Sequence, residues 1–157
     1  MQKNEVLIDE IHTKNIYLEA YSRLENIEFT NIDESAEVGG CSGEDTEDVL
    51  WNFLEQNLGY REARNVEIQR VHRIGKSRDG NQSPILACFL RCKDCQQIFL
   101  LGHRLRGTNF QMFRDLPWEI ITRRKVQMGA FMDARRNGVA ASFSQSQRDK
   151  LYIRGKL

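Results

Sequence analysis

Between residues 26 and 114 the apolar pattern changes period in a definite succession, and that succession limits the architectures open to the chain. In Asn26-Ile27-Glu28-Phe29-Thr30-Asn31-Ile32, the residues Ile27, Phe29 and, past a polar pair, Ile32 predict a strand with one buried face. A polar loop with Gly39, Gly40 and Gly43 follows. Asp45 or Thr46 then caps a helix whose apolar stripe is Val49, Leu50, Phe53, Leu54 and Leu58, ended by Gly59. Val66 to Gly75 alternates apolar with polar and predicts a second strand, and the stretch from Lys76 to Ser83 has the composition of a basic finger. Pro84 opens a more uniformly apolar strand, Ile85 to Leu90, as expected of a central buried one. Residues 92–105 return to helical spacing through Ile98, Leu101 and Leu105, and Phe110 to Arg114 closes with a strand. Strand, helix, strand, strand, helix, strand is the split βαβ, ferredoxin-like order of an α+β domain.

Helical patterns flank this region on both sides. Residues 1–25 carry a short heptad seam, with Met1, Ile8, Asn15 and Ser22 at one core position and Asn4, Ile11 and Leu18 at the other. Isoleucine at both core positions favours a trimer, and a buried Asn15 would fix register. Fewer than four heptads do not hold a coiled coil alone, so a single amphipathic helix packed on its own domain stays equally open. On the other side, Pro117 and Glu119 suit a helix start, residues 117–137 form the helix, and Gly138 stops it. Val139 to Phe143 and Leu151 to Ile153 then make a hairpin. The expected division is a coiled-coil end at 1–25, a ferredoxin-like domain at 26–115, and a small C-terminal domain at 116–157 that is incomplete.

A formal net charge of +1 conceals a strong polarity. Residues 1–60 hold 14 acidic against 3 basic side chains, and residues 61–157 hold 8 against 20. An acidic front and a basic back point to a polyanionic partner. The bases cluster late in the chain, as Arg123-Arg124-Lys125, Arg135-Arg136 and Lys150, which suits a grip on a phosphate backbone without a catalytic group.

Other chemistry finds little purchase. Cys88, Cys92, Cys95 and His103 fit the spacing of no common zinc module, so reduced, buried thiols are expected and neither metal nor cofactor is. His12, His72 and His103 lie in unrelated segments, no glycine-rich phosphate loop precedes a helix, and no nucleophile sits in a recognisable elbow, so no enzyme activity is expected. No apolar run approaches the ~20 residues needed to span a bilayer, and the N-terminus lacks a signal-peptide pattern, so an intracellular protein without a membrane partner is expected.

Ferredoxin-like domains of this size include RNA-recognition motifs, whose central strands present stacking rings. Here Glu28 occupies the first-strand position, and Ile85-Leu86-Ala87-Cys88-Phe89-Leu90-Arg91 lacks the Gly-Phe/Tyr-Gly/Ala-Phe core. Affinity is therefore expected to come from arginines. Three tracts carry a resemblance: Leu18-Glu19-Ala20-Tyr21-Ser22-Arg23-Leu24-Glu25-Asn26-Ile27; Arg70-Val71-His72-Arg73-Ile74-Gly75-Lys76 leading to Pro84-Ile85; and Asp115-Leu116-Pro117 with Arg123-Arg124, Ala134-Arg135-Arg136-Asn137-Gly138, Asp149-Lys150-Leu151 and Gly155-Lys156. Together, over nearly the whole chain, they resemble the RNA-binding protein of the first open reading frame of LINE-one retrotransposons.

The resemblance implies the end of a trimeric coiled coil, an atypical RNA-recognition-motif domain and a small C-terminal domain. It also implies binding of single-stranded RNA and single-stranded DNA, nucleic-acid chaperone activity, and packaging of the element's transcript into cytoplasmic ribonucleoprotein particles, with possible entry to the nucleus. By position, Arg23 falls at the junction of coil and domain, and Arg70, Arg73 and Lys76 on the second strand and the loop after it, where Arg78 adds a further base. Arg123 and Arg124 match the arginine pair of the C-terminal helix; Arg135, Arg136 and Lys150 complete the candidate nucleic-acid contacts. Ile8, Ile11, Asn15 and Leu18 are the candidate homotrimer contacts. Ser144-Gln145-Ser146 stands where the family often has an aromatic residue near the hairpin. The rival expectation is an oligomeric protein-interaction adaptor that binds no nucleic acid.

Overall fold

A computed structural model describes residues 2–34, 43–75 and 82–154. The chain divides into two compact units: a sheet unit of residues 24–115, and a helical unit that joins residues 1–23 to 116–157.

The sheet unit is α+β. Its strands are β1 (Asn26–Thr30), β2 (Ile68–Arg73), β3 (Ile85–Phe89) and β4 (Gln111–Arg114), all antiparallel in the order β2-β3-β1-β4. The unit's α-helices, here α2 (Thr46–Gln56) and α3 (Cys92–Leu100), fall between β1 and β2 and between β3 and β4. Asp45 caps α2 by accepting the Asp48 N–H at 3.1 Å, and α3 runs on into a 3-10 turn over Leu101–Leu105. The core forms where alternation meets helical spacing: Ile27 and Phe29 of β1 and Ile85, Ala87 and Phe89 of β3 bury against Leu50, Phe53 and Leu54 of α2 and Cys95 and Ile98 of α3. Phe53 meets Phe29 and Phe110 edge-to-face, with ring centroids 5.8 and 5.1 Å apart.

β3 is central in the sheet but is not apolar on both faces. It alternates, and Leu86 and Cys88 are only half-buried. The expected nine-residue alternation of the second strand is also broken. A bulge between Ile68 and Arg70 lets both Ile68 and Val71 pack on the core while Arg70 and His72 stay exposed. Gly59, at φ 63°, turns the chain after α2, and a Cβ there would meet the Arg104 Nη1 at 2.9 Å. That guanidinium donates to Leu58 O at 2.6 Å and, as the tip of a flexible side chain, could move aside; it is the positive φ that calls for glycine here.

The helical unit contains α1 (Gln2–Ser22), α4 (Trp118–Arg136) and a hairpin of β5 (Ala141–Phe143) and β6 (Leu151–Ile153). α4 ends in a Schellman motif: Gly138, at φ 67°, donates to Arg135 O at 3.2 Å and Val139 to Ala134 O at 2.8 Å. Residues 1–25 left open a coiled-coil end or a helix packed on its own domain; here Ile16 and Ala20 of α1 pack on Leu116 and Ile120. At about 100° per residue, this pair lies on a different face from the heptad positions. Ile8, Ile11, Asn15 and Leu18 all remain exposed, Leu18 by 66%. A second small core joins Ala134, Ala141 and Leu151 with Phe131 and Phe143, whose rings stack at 5.5 Å.

Arg73 belongs to this architecture and not to the surface expected for it. Its Nε and Nη2 donate to the Glu44 carboxylate at 2.8 and 2.9 Å, Nη1 to Ile32 O and Ser83 O at 2.7 and 2.8 Å, and Nη2 to Asp33 O at 2.8 Å. All five guanidinium donors are used, and its side chain is only 14% exposed. Lysine has three donors on one point and does not reproduce that fork. Arg73→Lys is expected to lower stability in urea unfolding by about 3 kcal/mol.

Candidate nucleic-acid interface

Four basic side chains of the helical unit, Arg123, Arg124, Arg148 and Lys150, gather where α4 faces the hairpin. Arg123 Nη1 donates to Asp149 Oδ2 at 2.8 Å, and Tyr17 Oη donates to Asp149 Oδ1 at 2.9 Å. One nearly buried carboxylate thus ties α1, α4 and the start of β6 together. Gln127 braces the same place: its Nε2 donates to Asp149 O at 2.6 Å and to Arg123 O at 3.1 Å, while its Oε1 accepts the Leu151 N–H at 3.2 Å. Beside this network is a groove of about 470 Å³ lined by Arg123, Val126, Gln127, Asp149, Lys150 and Leu151.

Burial alone would push the Asp149 carboxyl up. The bonds from Arg123 and Tyr17 outweigh it and hold the group below its ordinary value of 3.8. Tyr17 responds in the opposite sense, its hydroxyl pushed up by burial and then by its bond to Asp149. Arg124 is half-buried, with its guanidinium carbon 4.4 Å from the Phe143 ring centroid and its Nε donating to Arg148 O at 2.5 Å. Its pKa falls to about 10, first through burial and then through the neighbouring charge of Arg148, with Asp149 acting against both. Arg123, Arg124, Arg148 and Lys150 therefore share a neighbourhood with one carboxylate that is already engaged.

The remaining expected contacts are dispersed. Arg135 stands 5.9 Å from the Phe131 ring centroid, and Arg136 pairs weakly with Asp133 at 3.8 Å near the end of α4. Arg23 pairs with Glu19 one turn earlier. Arg70 is exposed on β2 opposite Cys88, in the other unit. Lys76 and Arg78 lie outside the described residues.

Tyr17, Gln127 and Arg148 were not singled out from the sequence, and Asp149 only as part of the tract Asp149-Lys150-Leu151, because no periodicity marks a hydrogen bond between residues 132 apart. Among the described residues no cluster of three or more histidine, cysteine and acidic side chains has the proximity to hold a metal. Burial pushes the Cys95 thiol up to about 11, the reverse of what a metal-binding thiolate needs. No helix of the described residues is long and apolar enough to cross a membrane.

A carboxylate with a depressed pKa stabilises the fold above its unfolded value, and that contribution is lost as pH falls through the folded value. Asp149→Asn is therefore expected to lower stability at neutral pH by about 1–3 kcal/mol. The difference from the unmodified protein should shrink once the pH drops below 3.8. Denaturant unfolding of both proteins at neutral and acid pH measures this.

No protein-family model matches the chain, and no curated protein matches it.

Proposed function

We propose that the protein binds single-stranded RNA, and single-stranded DNA also, without catalysing a reaction, as a chaperone-like ribonucleoprotein component of LINE-type retrotransposition. Arg124 carries this reading. Its guanidinium is half-buried beside a second cation, Arg148, and the nearest carboxylate is held by Arg123 and Tyr17. Its Nη groups have no hydrogen-bond partner among the described residues. A phosphate oxygen supplies the missing negative charge, and the planar fork meets it with two parallel bonds. Arg135, Arg136 and Lys150 extend the contact in this reading, and Arg70, Lys76 and Arg78 of the sheet unit are proposed as further contacts of their own.

The strand order β2-β3-β1-β4 with its two crossing helices supports placing residues 24–115 in the ferredoxin-like, RNA-recognition-motif class. Glu28, Leu86 and Cys88 occupy the outward positions of its central strands, so the reading assigns affinity chiefly to charge. Such binding is salt-sensitive: log affinity falls with log salt by about 0.7 per phosphate contact, so five contacts give a slope of roughly −3.5. Fluorescence anisotropy with labelled single-stranded RNA across a salt series checks this, and a salt-independent affinity overturns it.

The exposed apolar residues of α1 favour self-association into a homotrimer, and they also favour the second reading, an adaptor that binds proteins only. Light scattering is expected to give an oligomer for the unmodified protein and a monomer for Ile11→Asp, which places a charge in the proposed seam. An oligomer that carries no nucleic acid and binds none favours the adaptor.

A further inference from the structure

β4 is an outer strand of the sheet, and Phe113 stands on it opposite Glu28, on the side away from the helices. Its ring is 47% exposed although it sits within a regular ladder. Alongside runs a groove of about 570 Å³ lined by Phe113, Phe99, His103, Arg106, Gly107 and Gln111 among others, with no carboxylate in its walls. The size is that of a small-molecule or single-nucleotide site.

The wall opposite the strand is preorganised. Thr108 Oγ1 donates to Leu105 O at 2.7 Å and accepts the Phe110 N–H at 3.2 Å, which fixes the turn through Gly107. His103 Nδ1 lies 2.8 Å from Leu100 O; a carbonyl only accepts, so the proton is on Nδ1. Arg104 is spent on Leu58 O, whereas Arg106 is exposed and has no partner among the described residues. The nearby groove lined by Asn31, Asp33, Gln82 and Asn109 is uncharged apart from an acid and lacks this chemistry.

An exposed ring and an exposed guanidinium without a partner among the described residues, in a groove whose own walls carry no acid although Glu28 stands across from Phe113 on the sheet, match a nucleotide of a single strand, in which a π-face and a phosphate recur together. A peptide added along β4 would find only four residues to pair with. We propose that the groove beside β4 is a nucleotide subsite in which Phe113 stacks on one base and Arg106 holds an adjacent phosphate. The inference rests on the nucleic-acid reading above and adds to it a base contact outside the arginine cluster of the helical unit.

The test compares labelled oligothymidylate with an abasic oligodeoxyribose phosphate of the same length, using the full chain. The unmodified protein is expected to bind both, and the base-bearing strand more tightly. Phe113→Leu should weaken oligothymidylate binding about tenfold and leave abasic binding unchanged. Arg106→Gln should weaken both by the same factor and flatten the salt slope by about 0.7. Phe113→Trp should bind oligothymidylate at least as tightly as the unmodified protein, which keeps the test open if Phe113→Leu does not fold. Equal losses on the two strands for Phe113→Leu, or none on either, overturn the subsite while nucleic-acid binding stands. Binding to neither strand by the unmodified protein overturns the nucleic-acid reading itself.

Discussion

Taking a guanidinium out of water is expensive unless its donors and its charge are met, and that constraint shapes both units. In the sheet unit Arg73 ties three backbone carbonyls and Glu44 into one node, holding the end of β1, the residues before α2 and the residues before β3. Arg114 lies 4.0 Å from the Phe99 ring centroid and reaches the Cys95 sulfur at 3.3 Å. In the helical unit Arg123 takes a carboxylate and Arg124 a ring. A count of arginines therefore overstates what the basic half offers a polyanion, because several are structural members. Only those left to solvent, and the half-satisfied Arg124, keep donors to spare among the described residues.

The succession of elements was legible because each one buries a single face. Ile27 and Phe29, or Leu50, Phe53 and Leu54, announce their period without reference to the rest of the chain. What could not be read was the choice between competing faces and the partners of polar side chains. α1 has a heptad seam and a second stripe at Ile16 and Ala20, and only tertiary packing on Ile120 decides which is buried within the unit. The bulge at Gln69 escapes a strict two-residue alternation for a similar reason, since the strand trades one regular step for placing both Ile68 and Val71 on the core.

The candidate site shows the same division. Arg123 and Arg124 stand out as a pair, and their consecutive positions on a helix already require different surroundings, about 100° apart. Which one meets the acid and which the ring depends on Asp149 and Phe143, in a hairpin whose strands are three residues each. Arg70 and Arg73 look equivalent as text. The fold separates them into an exposed strand residue and a saturated internal one.

The bulge in β2 has a further consequence, for assembly. β2 and β4 are the two open edges of the sheet, and an unprotected edge is a template for strand addition by another molecule. A bulge increases local twist and interrupts the regular spacing of outward backbone groups, and the exposed charge of Arg70 sits beside it. At the other edge, β4 is too short to offer a long run of pairing. Both margins are thus poor seeds for edge-to-edge growth, so bringing many copies of this sheet close together would not by that crowding drive them into a continuous β-structure.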